Sequence, residues 1–361
     1  MAAPASLGLP RWTLAAPAAA WLALALPGAG GGLAALAMAA ALVAGVLAAV
    51  HHAEVVAHRV GEPFGTLILA IAVTVIEASL IVSLMLAGGP ATSALARDTV
   101  FAAVMIILNG IVGLCLLWGG SHHHEQQFSL QGAAASLTTL AAIVVLALVL
   151  PNYLTTALGP VYSLSQLVFI AIVSLILYGA FVFVQTVRHR DYFLPQHAAS
   201  SEAHHAPPPA NRTALASLAL LMVCLGAVVL LAKALSPALE RAVATAGAPA
   251  ALVGVIIAAV VLLPEGLAAL RAARADRLQT SLNLALGSAL ATIGLTIPVV
   301  AVTSILLGFP LTLGIDGRST VLLLLSLFVT SLSLSTGRTT VLQGTILLVL
   351  FAVYLFTSVV P

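Results

Sequence analysis

The chain has 361 residues, of which 61% are hydrophobic and only 7% are charged; its formal net charge is +2 and its mean hydropathy is +1.17. Soluble domains carry about a quarter charged residues, so this composition excludes a soluble globular protein, and the small net charge gives no reason to expect a nucleic-acid partner. The apolar runs are long and lack strand-like alternation, which predicts an all-α polytopic membrane protein.

Charges and Gly/Pro clusters divide the chain into about eleven transmembrane helices. The first 30 residues also resemble a signal peptide, but no clean small-residue cleavage site follows, so an extra N-terminal span is the favoured interpretation. Whether that span is retained stays open. The predicted spans are 12–28, 33–50, 64–87, 99–118, 132–150, 161–187, 213–235, 248–270, 280–308, 319–336 and 339–358.

The basic residues predict the orientation of these spans. Nine of the 13 Lys and Arg residues fall on the side of the N-terminus and four on the other side. The positive-inside rule then places the N-terminus in the cytoplasm and the C-terminus outside. The polar segment 188–212 is predicted to be a cytoplasmic linker with little structure of its own.

Two acidic residues relate the two halves of the chain. Glu77 lies in the third predicted span and Glu265 in the eighth, inside otherwise apolar runs. An offset of five spans reverses the direction in which the second half crosses the membrane, so the halves form an inverted repeat of five plus five helices. The predicted domains are 1–30 for the extra span, 31–187 for the first repeat, 188–212 for the linker and 213–361 for the second repeat.

The two glutamates are the strongest candidates for a functional site. An acid within a bilayer is costly and normally faces a bundle interior or a cavity. Pro264 and Gly266 flank Glu265, which predicts a break or kink that frees carbonyl oxygens beside the carboxylate. Protons and a hard cation would compete for the two carboxylates, which is the minimum machinery of a proton-coupled antiporter. The alternative is a pair of structural acids.

Smaller residues in the same spans are secondary candidates. Thr74, one turn before Glu77, either lines an ion path or bonds to a backbone carbonyl. Asn283, Ser288 and Thr292 are predicted to form a polar ladder, and Gly287 and Gly294 to allow close helix approach.

Three segments carry a family resemblance. VGEPFGTLILAIAVTVIEASLIVSLMLAGG, RDTVFAAVMIILNGIVGLCLLWGG and LLPEGLAALRAARADRLQTSLNLALGSALATIGLTIP resemble the calcium/cation antiporter superfamily, and within it the bacterial ChaA-type calcium–proton antiporters. The resemblance covers two alpha motifs, at about 61–120 and 247–300. It implies that Glu77 and Glu265 bind cation and proton, that Asn109 is the asparagine of the first motif, and that Ser288 is the serine of the second.

The sequence departs from the superfamily close to both glutamates. Where Gly-Asn is usual, it has Val73-Thr74 and Val261-Leu262. Fewer side-chain oxygens weaken the expectation of strict calcium selectivity, because calcium takes six to eight oxygen ligands. Calcium is the first expectation for the exchanged cation, with sodium or potassium as alternatives.

The expected function is therefore secondary transport of a cation against protons by alternating access. The alternatives are a cation channel or a cation exchanger that is not coupled to protons. An enzyme is not expected, because the sequence contains neither a GxxxxGK phosphate loop nor an HExxH motif. The expected partners are inorganic cations, protons and the lipid bilayer, with no cofactor. The sequence leaves open whether the chain forms a homo-oligomer.

Overall fold

The computed structural model describes residues 9–25, 32–61, 64–88, 92–194, 209–308 and 311–360, with side chains in the third helix described from residue 71 to 86. This part of the chain contains two short strands, β1 (Gln126–Gln127) and β2 (Arg338–Thr339). Its α-helices are α1 (Arg11–Leu24), α2 (Gly32–Val60), α3 (Phe64–Gly88), α4 (Leu95–Met105), α5 (Val112–His123), α6 (Leu130–Val144), α7 (Leu164–Phe183), α8 (Asn211–Thr245), α9 (Ala251–Arg274), α10 (Leu278–Leu307), α11 (Gly317–Leu334) and α12 (Val341–Val359).

Several helices end in a different helical geometry. A π-helical segment, Ile106–Ile111, joins α4 to α5, and two more, Val145–Val149 and Val184–Arg188, extend α6 and α7. Short 3₁₀ turns follow the latter two, at Leu150–Tyr153 and Arg190–Tyr192. A π segment inside a helix turns its side chains away from the regular α spacing and is frequent at functional sites.

The predicted membrane fold is confirmed. In the described residues, nine helices or continued helices are long and apolar enough to cross a bilayer. With α1 and α3 they match the eleven predicted spans in order. The main differences are at α2 and α8, which each continue ten residues past the predicted ends at residues 50 and 235. No glycine or proline interrupts α2 there, and α8 runs on through Pro237. Residues 26–31, and 195–208 of the predicted linker, lie outside the described residues.

The chain divides into two compact units that cut across its two halves. Unit 1 comprises 1–87 and 203–246, and unit 2 comprises 88–202 and 247–361. In unit 1, α1, α2 and α8 pack through small residues: a Cβ built on Gly45 would lie 3.1 Å from Cγ2 of Val228. The indole Nε1 of Trp21 in α1 donates to the carbonyl oxygen of Val223 in α8, at 3.2 Å.

Unit 2 contains a two-fold pattern of contacts. α5 packs along α12, and α10 packs along α7. α5 is the fourth predicted span and α12 the eleventh, while α10 is the ninth and α7 the sixth. The predicted repeat relates the fourth span to the ninth and the sixth to the eleventh, so it exchanges one pair for the other. β1 pairs with β2, and Val161 forms an isolated β-bridge with Thr312. These two contacts join two pairs of loops, which the repeat exchanges as well. Such a pattern is that of an inverted repeat. The predicted domain boundaries follow the repeats rather than the compact units and stay a prediction.

Glycines allow the close approach at these crossings. A Cβ on Gly344 of α12 would lie 2.3 Å from the amide nitrogen of Leu117 in α5, and one on Gly294 of α10 would lie 2.8 Å from Cβ of Tyr178 in α7. The packing role predicted for Gly294 is therefore confirmed. The same prediction for Gly287 is wrong, because no described atom lies within 4 Å of its Cβ position.

Candidate functional site

Glu77 is buried in the middle of α3. Its side chain is 2% exposed, and Thr74, one turn earlier on the same face, is 4% exposed. Ile76 and Ile81 beside it are also buried, whereas Val75 on the opposite face is 42% exposed. The helix therefore turns its one acid inward, as expected for an ionisable residue within a membrane span.

Glu265 lies on α9, which is continuous from Ala251 to Arg274. Pro264 does not break α9, because one lost hydrogen bond does not end a helix that packs against α4, α5 and α10. The other predicted outcome, a kink at Pro264, stays a prediction. Pro264 still removes the amide hydrogen that would bond to the carbonyl of Val260. Both carboxylate oxygens of Glu265 are inaccessible to solvent.

Asn109 lies on the π segment between α4 and α5 and is completely buried. Its Nδ2 donates to Oγ of Ser326 in α11 at 2.9 Å and to the carbonyl oxygen of Met105 at 3.3 Å. Its Oδ1 is buried and accepts no hydrogen bond from the part of the chain that the structure describes. An oriented, uncommitted carbonyl oxygen is a ligand suited to a hard cation.

Ser288 is half-buried on α10. The predicted ladder from Asn283 through Ser288 to Thr292 is not seen at its first member. Asn283 Nδ2 instead donates to the carbonyl oxygen of Phe193 at 2.6 Å, and its Oδ1 accepts from Gln279 Nε2 at 2.9 Å. Asn283 therefore attaches the chain that follows α7 to the start of α10.

Unit 2 brings together the helices that carry three of the five predicted site residues. The π segment with Asn109 packs against α9, which carries Glu265, and against α10, which carries Ser288. A Cβ built on Gly266 would lie 3.2 Å from Cδ1 of Ile111, two residues after Asn109. Glu77 and Thr74 belong to unit 1, and the pairing of Glu77 with Glu265 stays a prediction.

Ser326 is the residue in this region that sequence reasoning missed. It is 1% exposed and contacts Asn109 from 217 positions further along the chain. Ser326, Thr330 and Ser333 recur at helical spacing on the buried face of α11. That polar stripe in an apolar helix is the signal that could have identified it.

A separate cluster of charges lines a cavity of about 90 Å³ in unit 2 that includes none of the predicted site residues. Arg97 Nε donates to Asp98 Oδ1 at 2.8 Å, and Arg318 Nη2 to Asp316 Oδ2 at 3.5 Å. Burial acts to raise the pKa of Asp316. Hydrogen bonds from the Ser319 hydroxyl and amide, with the charges of Arg318 and Arg97, outweigh burial and hold that pKa below its usual value.

The described residues contain no group of three or more His, Cys, Asp or Glu side chains that could hold a metal ion by themselves.

Comparison with known proteins identifies the family. The profile described as "Sodium/calcium exchanger protein" matches residues 31–187 and 216–360. The chain is 50% identical over 328 residues to the "Putative ionic transporter y4hA" of Sinorhizobium fredii, covering 90% of this chain and 89% of that protein. It is 37% identical over 319 residues to the "Sodium-potassium/proton antiporter ChaA" of Escherichia coli, covering 88% and 86%.

A solved structure shares the fold. The crystal structure of the "H+/Ca2+ Exchanger CAX" superposes with a TM-score of 0.72 at 17% identity, covering 96% of this chain and 88% of that one. At this identity the likeness concerns the fold alone. The relatives are transporters rather than enzymes. From the extent of the profile match and the identity to its relatives, the chain belongs to the sodium/calcium exchanger protein family.

Proposed function

We propose that this protein exchanges a cation for protons across a bacterial-type inner membrane by alternating access. The observation that carries the proposal is the burial of one glutamate in each half of the chain, Glu77 at 2% exposure and Glu265 with both carboxylate oxygens inaccessible to solvent. Because the chain belongs to a family of cation exchangers, the ion that these two acids would bind is a cation.

The chemistry follows from the cost of a buried charge. An ionised carboxylate away from water is costly unless a cation or a proton neutralises it. Each glutamate would therefore hold either a proton or the cation, so that release of one favours binding of the other. This competition couples the two fluxes without any cofactor, and the transported ions are the substrates.

The resemblance of the sequence motifs makes calcium the first expectation for the cation, with sodium and potassium as the alternatives, but two observations count in favour of the monovalent ions. The relative from E. coli, at 37% identity, is named a sodium-potassium/proton antiporter, which favours monovalent exchange. The solved exchanger named for calcium is only 17% identical. The sparse side-chain oxygens near the glutamates also favour an ion that needs fewer protein ligands than calcium.

The test uses inverted membrane vesicles with an imposed proton gradient that is followed by a pH-sensitive dye. Addition of the transported cation should collapse the gradient, and Glu77→Gln or Glu265→Gln should abolish the collapse. Glu125→Gln, at an exposed glutamate between α5 and α6, is the matched control and should behave as wild type. Full exchange in both buried variants would refute the site.

The same vesicles separate the alternatives. Sodium, potassium and calcium are added in turn, each with and without a proton gradient. A channel would pass labelled cation down its own gradient with no proton movement. An exchanger uncoupled from protons would require a second cation on the opposite side. Either result would exclude proton antiport.

A further inference from the structure

We propose that Ser326 is a positioning residue for the cation site: it fixes the amide plane of Asn109, so that the carbonyl oxygen of Asn109 is held ready for the cation. The inference rests on the proposed function in so far as Asn109 contributes to cation binding. Ser326 itself would not touch the ion.

The contacts of the Asn109 amide support this role. Both hydrogens on Nδ2 are committed, one to Ser326 Oγ at 2.9 Å and one to the carbonyl oxygen of Met105 at 3.3 Å. The Met105 carbonyl oxygen can only accept a hydrogen bond, so the amide atom of Asn109 that faces it must be the donor nitrogen, Nδ2. The bond to Ser326 prevents rotation of the amide about the Cβ–Cγ bond. Oδ1 is then left pointing away from both partners, without a donor from the described residues.

The surroundings of Ser326 make its orientation specific. Its hydroxyl accepts from Asn109 and lies 3.7 Å from Sδ of Met105, to which it donates its own hydrogen. Asn109 and Met105 are completely buried, and Ser326 is 1% exposed, so water is not at hand to replace a lost bond. Loss of this hydroxyl would leave one amide hydrogen unsatisfied, and the amide would turn to find another partner.

The position of Asn109 explains why a fixed amide matters there. The π segment places Gly110 against the ring of Phe351 in α12, and Ile111 against Gly266 in α9. The backbone on either side of Asn109 is thereby held between two helices. The amide is the remaining degree of freedom. Among the bonds that the structure describes, its side-chain contacts are Ser326 Oγ of α11 at 2.9 Å and, four residues earlier on the same helix, the weak acceptor Sδ of Met105 at 3.8 Å.

The primary test measures the cation concentration that gives half-maximal proton movement in inverted vesicles. Ser326→Ala should raise this KM about three- to tenfold, the effect of one buried hydrogen bond, with the maximal rate changed less than about twofold. Ser326→Thr, which keeps the hydroxyl, should restore a KM close to wild type. Ser333→Ala removes a buried serine seven residues further along α11 and should leave KM unchanged.

A double variant separates positioning from a general packing effect. In the Asn109→Ala background, Ser326→Ala should change KM by less than about twofold, because the group on which Ser326 acts is gone. An equal effect of Ser326→Ala with and without Asn109 would overturn the inference. So would an unchanged KM in Ser326→Ala while Asn109→Ala raises it.

Cation binding to the purified protein distinguishes failure of this inference from failure of the proposed function. Calcium, sodium or potassium should raise the Tm, and Ser326→Ala should shift the half-effective concentration upward by the same three- to tenfold factor, about the effect of one buried hydrogen bond. A wild type that binds the cation but moves no protons would refute antiport, while the binding curve still decides the role of Ser326. A wild type that binds none of the three cations would overturn both.

Discussion

At the scale of the residue, the acidic side chains fall into two environments. Glu77 and Glu265 lie within apolar stretches of membrane helices, where a permanent charge is costly. Asp98 and Asp316 lie beside Arg97 and Arg318 at helix starts, where charge is partnered. The first environment favours exchange of a proton for a cation, whereas at Asp316 the second favours a constant charge that stabilises local structure.

Asp316 allows that second environment to be tested. Its side chain caps α11 by accepting from the amide of Ser319 at 2.6 Å. Because the folded pKa lies below the unfolded value, its stabilisation is present above the unfolded pKa and is lost as pH falls through the folded pKa. Asp316→Asn keeps the cap without the charge, so its Tm in detergent should fall less than that of wild type between pH 5 and pH 2.

Removal of the cap is the control for this comparison. Asp316→Ala should lower stability at neutral pH by about 1 kcal/mol, the usual contribution of an N-cap side chain. Asp316→Asn keeps the cap and loses only the contribution of the charge, so it should lower stability less. An equal fall in Tm between pH 5 and pH 2 for wild type and Asp316→Asn would show that the carboxylate charge contributes nothing to stability.

At the scale of the element, glycines permit close helix crossings in unit 2. Van der Waals contact rather than apolar burial drives helix association within lipid, so two helix backbones approach each other most closely at a glycine, which has no side chain. Gly344 allows this approach between α5 and α12, and Gly294 allows it between α10 and α7. The two crossings are equivalent under the repeat, so each half contributes one helix to each crossing.

Gly294 and Gly287 on the same helix provide a matched pair of substitutions. Gly294→Ala places a Cβ 2.8 Å from Tyr178 Cβ and should destabilise the protein by about 1–3 kcal/mol. Gly287→Ala meets no described atom within 4 Å and should be neutral or stabilising by up to about 1 kcal/mol. Thermal unfolding in detergent measures both. Equal losses for the two variants would contradict the packing role assigned to Gly294.

At the scale of the whole molecule, the predicted orientation rests on basic residues alone. The rule places the α11–α12 loop in the cytoplasm and the loop after α6 outside. Ser335 and Thr155 are exposed residues of these two loops. The native cysteines, Cys115 and Cys224, are buried and suit a low-background labelling experiment.

Cysteine labelling should show the orientation directly. In a variant with both native cysteines replaced, Thr155→Cys should react with a membrane-impermeant maleimide in intact cells. Ser335→Cys should react only after the cells are permeabilised. The reverse pattern would place the N-terminus outside and would contradict the orientation assigned here.

Much of this fold could be predicted from the sequence, because bilayer insertion depends on local composition. Long apolar runs bounded by charges and Gly/Pro clusters predicted the eleven spans, nine of which are long and apolar enough to cross a bilayer in the described residues. The positions of Glu77 and Glu265 indicated the repeat. The predictions that differed from the structure concerned local features of single helices. Pro264 did not break α9, because the helices around α9 maintain it, and α2 ran past its charged residues, because charge near an interface does not end a helix.

The sequence by itself determined that this chain is a multi-pass helical membrane protein with one buried acid in each half, because the costs of burying backbone and charge in lipid apply residue by residue. Only the tertiary structure decided which polar groups meet. Asn109 bonds to Ser326, 217 residues away, and Asn283 bonds to the chain after α7 as well as to Gln279 on its own helix. Such partners depend on how helices from opposite halves cross, and no local pattern contains that information.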